Sequence, residues 1–227
     1  MKKAIAILLI LVLALSVTAC GTSAPPAQDN TPLEVDQTNE DVVQNEAPEE
    51  YIPPEPVVYT GAGDDVIEIT PPNDLWAFRI SGNSGAHHFS VTGYAENGEY
   101  NDLFVNTTEP YSGITLDQSQ TTTMLEIKAE GEWTVELISF GLLDVIHGGD
   151  TYTGTGDMVF LMYDYGKTAD ISGNADAHHF AVKAHSETTT DLLVNTTDPY
   201  EGTVLLRDKF FVVEVTAESP WTFTLSA

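Results

Sequence analysis

Cysteine occurs once in this chain of 227 residues, at Cys20, so no internal disulfide can form and any folded part must be held by packing alone. Basic residues are nearly as scarce. Eight Lys and Arg stand against 35 Asp and Glu, a net charge of −27. A chain this acidic repels phosphate backbones and anionic lipid surfaces, which excludes nucleic acid as a partner. No segment sustains a helical period, so a helical bundle is excluded too. Gly-x-Ser-x-Gly elbows, His-Glu-x-x-His helices and phosphate loops are absent as well, and catalysis finds no motif to rest on.

The amino terminus holds the one long apolar run. Met1-Lys2-Lys3 is a basic head, Ala4 to Val17 is almost entirely apolar, and Val17-Thr18-Ala19 closes it with small residues before Cys20. That order reads as a secretory signal peptide. The competing reading, a membrane span, needs ~20 apolar residues. Val17-Thr18-Ala19-Cys20 resembles the lipobox of bacterial lipoproteins cut by the lipoprotein signal peptidase. The resemblance implies that residues 1–19 are removed and that Cys20 becomes the acylated first residue. It implies an address outside the cytoplasm, on a bacterial membrane through the lipid at Cys20. Such a mature chain carries 35 acidic against 6 basic residues, a net −29, and acylation removes the only thiol from any nucleophilic role.

Residues 20–56 are rich in Pro, Asn, Gln, Glu and Asp, with no Lys or Arg and no aromatic residue before Tyr51. Low hydrophobicity with one-sided charge does not repay the entropy of ordering, so this segment is expected to be a disordered acidic tether. Its prolines and like charges extend it.

From Tyr59 onward the sequence repeats. Tyr59-Thr60-Gly61-Ala62-Gly63-Asp64 returns as Tyr152-Thr153-Gly154-Thr155-Gly156-Asp157, and Ile80-Ser81-Gly82-Asn83 as Ile171-Ser172-Gly173-Asn174. Ala86-His87-His88-Phe89 returns as Ala177-His178-His179-Phe180, Val105-Asn106-Thr107-Thr108 as Val194-Asn195-Thr196-Thr197, and Trp133-Thr134 as Trp221-Thr222. The offset drifts from 93 at Tyr59 to 88 at Trp133, the mark of small insertions in loops. Two copies of one domain follow, over 57–140 and 150–227.

Within each copy, short β-branched and aromatic segments alternate with Gly-Asn, Asn-Gly and Pro-Tyr-x-Gly turns. In Phe89-Ser90-Val91-Thr92 and Phe180-Ala181-Val182-Lys183, apolar and smaller or polar residues take opposite faces. The fold expected is all-β: two tandem, small, antiparallel β-sandwiches of jelly-roll type after the tether.

The paired histidines are the sharpest chemical candidates. Strand neighbours face opposite sides of a sheet, so His87 and His88 are not expected to grip one metal together. His87 is expected at the core margin; His88 and its counterpart His179 are expected to be exposed and able to meet a ligand. Asn106 and Tyr111, with Asn195 and Tyr200, flank the repeated Thr-Thr turn and complete the expected ligand surface. Asp64, Asp102, Asp157 and Asp191 sit at loops. Oxygen donors of this kind suit calcium, which takes six to eight, but aspartate also closes ordinary turns by bonding to nearby backbone. Both roles remain open on sequence.

Each copy also resembles the jelly-roll domains of the bacterial pre-peptidase C-terminal type. The likeness rests on His88-Phe89-Ser90-Val91, on the strand from Asp102 and on the closing Trp-Thr-Val strand from Trp133, matched at His179, Asp191 and Trp221. It implies a β-sandwich, a fold of which some members bind calcium, and it places Asp102 and Asp191 where that family has an acidic residue. The Asn-Thr-Thr-x-Pro-Tyr turn departs from the family pattern. The function expected is a non-enzymatic surface lipoprotein that presents two sandwiches to an envelope glycan or protein. A structural spacer, a calcium-binding accessory module and, more distantly, an envelope hydrolase are the alternatives.

Overall fold

Alternating apolar positions and closely spaced turns leave the chain one way to bury its side chains, strand against strand. A computed structural model describes residues 51–163 and 166–227. The expected signal peptide, Cys20 and nearly all of the tether lie outside the described residues. Residues Ile52–Ala227 form one compact unit.

The first copy supplies eight strands: β1 (Val57–Ala62), β2 (Asp65–Glu68), β3 (Trp76–Gly82), β4 (Phe89–Ala95), β5 (Tyr100–Thr107), β6 (Tyr111–Thr115), β7 (Thr122–Lys128) and β8 (Glu132–Ser139). They form two four-stranded antiparallel sheets, ordered β1-β8-β3-β6 and β2-β7-β4-β5. This interleaving of two sheets by eight strands is the jelly roll.

The second copy repeats it with β10 (Thr151–Thr155), β11 (Met158–Met162), β12 (Thr168–Gly173), β13 (Phe180–His185), β14 (Thr190–Thr196), β15 (Tyr200–Leu205), β16 (Val212–Thr216) and β17 (Pro220–Leu225). Its sheets run β10-β17-β12-β15 and β14-β13-β16-β11-β9. The additional strand, β9 (Val145–Ile146), comes from the segment between the copies and pairs in parallel with β11. Two residues in extended form give too short a pattern to be read from sequence. A register shift follows Val91 in β4 and recurs after Val182 in β13, so the copies share this irregularity, while further shifts beyond Gly93 and Tyr94 are confined to β4.

Each sandwich has its own core. Phe78, Phe89, Leu125, Ile127 and Val135 are sealed in the first, and Phe160, Phe180, Val213 and Phe223 in the second. Full burial of each such side chain contributes ~1.5–3 kcal/mol. Phe89 and Val91 face inward as the alternation requires. On the other face Thr92 and Lys183 are partly exposed, whereas Ser90 and Ala181 are buried. Both are small, and both lie on strands flanked on either side, so neighbouring side chains cover them.

Two repeated motifs have one packing reason. Gly61 faces Trp133 across the β1–β8 ladder, and Gly154 faces Trp221 across β10–β17. A Cβ on Gly61 would fall 2.3 Å from the Trp133 ring, so only glycine admits the indole. Each indole N–H then donates to a turn carbonyl, Trp133 to Gly63 at 3.0 Å and Trp221 to Gly156 at 2.9 Å.

A third apolar cluster joins the copies. Ala77, Leu116, Ile138 and Leu143 meet Val159 and Val212. The two sandwiches therefore abut through a dry contact.

Candidate functional site

The paired histidines do not begin a strand. β4 starts at Phe89 and β13 at Phe180, so the histidines belong to the preceding loops. These loops are built by asparagine. Asn83 takes a positive φ of 60°, is 3% exposed, accepts from the His87 backbone N–H at 2.9 Å and donates to the carbonyls of His87 and Glu109. Asn174 repeats all of this, with φ 63°, 1% exposure and bonds to His178 and to the Asp198 carbonyl. Ala86 and Ala177 also have positive φ, 54° and 57°, a conformation uncommon outside glycine. The clamp holds them there. Each asparagine thus ties the histidine loop to the Thr-Thr turn.

This loop geometry moves His87 from its expected place. Its side chain is 54% exposed, with Nδ1 3.4 Å from Glu130 Oε2. The core margin is left to Phe89. His178 pairs with Glu218 in the same way at 3.3 Å. His88 Nε2 lies 3.3 Å from Asn106 Oδ1, and His179 Nε2 lies 3.2 Å from Asn195 Oδ1. With each amide oxygen as acceptor, the imidazole N–H donates.

An open cleft of about 1420 Å³ lies where the two copies meet. The first copy lines it with His88 and the turn from Asn106 to Ser112; the second lines it with Asp157, Asp176, His178, His179 and Glu218. Tyr111 and Asp157 close it from within. The Tyr111 hydroxyl donates to Asp157 Oδ2 at 2.8 Å, and the Ile114 N–H donates to the Asp157 carbonyl at 3.0 Å. Burial, then the charge of Asp157, raises the Tyr111 phenol far above its ordinary value. Burial raises the Asp157 carboxyl as well, against the opposing pull of its bonds from Ala217 N–H and Tyr111.

Of the residues singled out on sequence, His88, Asn106, Tyr111, His179 and Asp157 share this cleft. Asn195 stands one hydrogen bond behind His179. Tyr200, Asp64, Asp102 and Asp191 do not line it. Each of the four aspartates already has a protein partner. Asp64 accepts from Ala129 N–H at 3.0 Å and Asp157 from Ala217 N–H at 2.9 Å. Asp102 accepts from Leu103 N–H at 2.8 Å, and Asp191 lies 3.2 Å from Arg207 Nη1. They do not converge, and among the described residues no group of three or more His, Cys, Asp or Glu is placed to hold a metal. These aspartates therefore do not fit a calcium shell of six to eight oxygens.

Sequence reasoning missed Asn83, Asn174, Asp176 and Glu218. The asparagines carried a signal: Ile-Ser-Gly-Asn recurs with its side chain intact, more strictly than a turn alone demands. Asp176 and Glu218 carried none, because the cleft they line exists only once the copies dock.

No known protein family matches the chain, and no curated protein matches it. Among solved structures it is similar to the stem and receptor binding domain of the spike protein P1 from bacteriophage PM2. That likeness has 11% identity, covers 78% of this chain and 81% of that one, and has a TM-score of 0.15. It bears on neither the fold nor the function described here. Among the described residues no helix is long and apolar enough to cross a membrane.

Proposed function

We propose that this chain is a non-enzymatic lipoprotein, acylated at Cys20 and displayed outside the cytoplasm of a bacterium, whose two jelly rolls hold an envelope ligand in the cleft between them. One observation carries the reading: a single cleft draws on both copies, with an imidazole and an amide at His88 and Asn106 of the first and imidazoles and a carboxylate at His178, His179 and Glu218 of the second. Amide, hydroxyl and imidazole groups on an open surface suit hydrogen bonding to a polyhydroxylated ligand such as a glycan. The acidic surround favours a neutral or cationic ligand over an anionic one.

The test has two arms. Mass spectrometry of the protein from its host reads Cys20 directly; an unmodified cysteine within an uncut chain ends the lipoprotein reading. Binding to envelope fractions, compared between the parent and His88→Ala/His179→Ala, reads the cleft. Loss of binding with unchanged melting supports a site there. Equal binding by both proteins moves the ligand elsewhere.

A spacer role is the second reading, and the dry cluster of Ala77, Ile138, Val159 and Val212 favours it. A stiff pair of sandwiches would hold a distal element away from the membrane. It predicts that no envelope fraction binds and that removing the inter-copy contact lowers stiffness and stability alone. A melting scan in calcium against chelator serves as a control, since a ligand at 100 times its Kd raises stability by ~2.7 kcal/mol. No calcium-dependent rise is expected.

A further inference from the structure

The contact between the two copies is not symmetric. The first copy offers Tyr111, Ile114 and Leu116, from β6 and the residue beyond it; the second offers Asp157, Val159 and Leu161, from β11 and the turn before it. Different surfaces meet, so the interface is heterologous. Because the copies are repeats, each surface exists twice. The internal contact uses one of each, and one of each is left over.

The leftover surfaces keep some of the features that make the contact: the tyrosine, the aspartate, Leu205 and Val66. Tyr200 is the counterpart of Tyr111, five residues before Leu205 as Tyr111 is five before Leu116. Its ring folds back over Gly202 as the Tyr111 ring does over Gly113, so that a Cβ added to either glycine would fall 2.9 or 2.8 Å from the hydroxyl. Asp64 is the counterpart of Asp157 and is held by Ala129 N–H as Asp157 is held by Ala217 N–H. Leu116 and Val159 are buried in the internal contact, at 6% and 1% exposure; their counterparts Leu205 and Val66 are 54% and 59% exposed. β15 is an edge strand, as β6 is, and nothing described covers it as the turn at Asp157 covers β6.

We propose that these leftover surfaces bind each other between molecules, so that the β15 edge of one chain docks on the Asp64–Val66 turn of a second copy of the same chain. Tyr200 donates to Asp64 of the next molecule, and Leu205 and Val66 meet over it. A heterologous contact of this kind is not self-complementary, so it adds molecules head to tail, into open strings or, where the rotation closes, into rings. At least four replacements keep it weaker than the internal contact. Thr203 stands where Ile114 does, Glu68 where Leu161 does, Thr168 where Ala77 does and Ser226 where Ile138 does. Lys128, 3.8 Å from Asp64, competes for that carboxylate. A net charge of −27 opposes association further, so screening by salt strengthens it.

Sedimentation equilibrium of the full chain tests this, with Cys20→Ser to remove any acyl contribution and a density-matched detergent to hide the apolar terminus. The expected result is an average mass that climbs past the dimer as protein concentration rises, and climbs further in high salt. Leu205→Glu and Val66→Glu each sediment as monomers. Mixed in equal amounts they form dimers and nothing larger, because each supplies the one surface the other has lost. Tyr200→Phe, which deletes a single oxygen, weakens the association several-fold without changing the melting curve and stands in if either glutamate variant melts early. A chain that stays monomeric in high salt overturns the proposal. So do association that these variants leave unchanged and a mixture of the two variants that fails to dimerise.

Discussion

The Tyr111 hydroxyl donates to the Asp157 carboxylate across 2.8 Å, from β6 of one sandwich to the turn before β11 of the next. It is the polar counterpart of the apolar cluster that joins the copies, and both partners are largely withdrawn from water. Tyr111→Phe leaves the carboxylate without that donor and is expected to cost ~1–3 kcal/mol in urea unfolding. In a double-mutant cycle with Asp157→Asn, a coupling of ~0.5–3 kcal/mol should appear. Strictly additive losses would show that the bond does not hold the copies together.

The two buried asparagines give a paired experiment. Asn83→Ala and Asn174→Ala each strip a backbone N–H and two carbonyls of their partner, which is expected to cost ~2 kcal/mol or more apiece. They sit in separate cores, so the double variant should lose the sum to within ~0.5 kcal/mol. The same variants should free the histidine loops, and the His88 and His179 ring resonances in NMR would broaden or shift with them.

Asp117 is 1% exposed and accepts from four backbone and side-chain groups on one oxygen, Ser119 N, Gln120 N, Ser119 Oγ and Asn101 Nδ2, and from Thr121 N and Thr122 N on the other. It organises the turn between β6 and β7. Asp117→Ala is expected to cost ~3 kcal/mol or more, since each bond to a charged acceptor is worth ~1.5–3 kcal/mol. Asp117→Asn keeps one acceptor and should cost less. Thermal melts of the two variants rank them.

Two carboxylates should respond to pH with opposite sign. Burial pushes the Glu214 carboxyl up, but the hydrogen bond from His185 and the charge of Lys183 outweigh it, and the net shift is downward. Its stabilisation is present above the ordinary glutamate value of ~4.3 and fades as pH falls through the depressed one. Glu214→Gln should therefore cost more at pH 7 than at pH 2. Asp157 is raised by burial, so its contribution is full below the ordinary aspartate value and lost as pH rises through the raised one. Asp157→Asn should cost more in acid than at neutrality. Denaturant titrations of each variant at several pH values separate the two.

Much of this is legible in the sequence. The alternation in Phe89-Ser90-Val91-Thr92 announces a strand because the inward face must bury Phe and Val whatever the topology. The recurrence of Tyr-Thr-Gly and Trp-Thr announces two copies of one sandwich, and its reason is the indole lying on Gly61 and Gly154. The histidine loops were harder. Two residues that fit a strand pattern stand outside it because Asn83 and Asn174 hold the chain at positive φ, and φ leaves no mark on hydrophobic spacing. The cleft was not legible at all. It depends on which face of one copy meets which face of the other, and the residues that decide this, Ala77, Ile138, Val159 and Val212, look like any other core residues in the sequence.

The third apolar cluster also sets a schedule. Ala77 and Ile138 come early in the chain, with the first sandwich, whereas Val212 follows only when the second is almost complete. The first sandwich can therefore fold over an interval in which Val212 has not yet emerged. For that interval a finished first sandwich shows water an oily face that has no partner yet, and a nascent neighbour can stick to it. The hazard is one of timing and ends when β16 arrives.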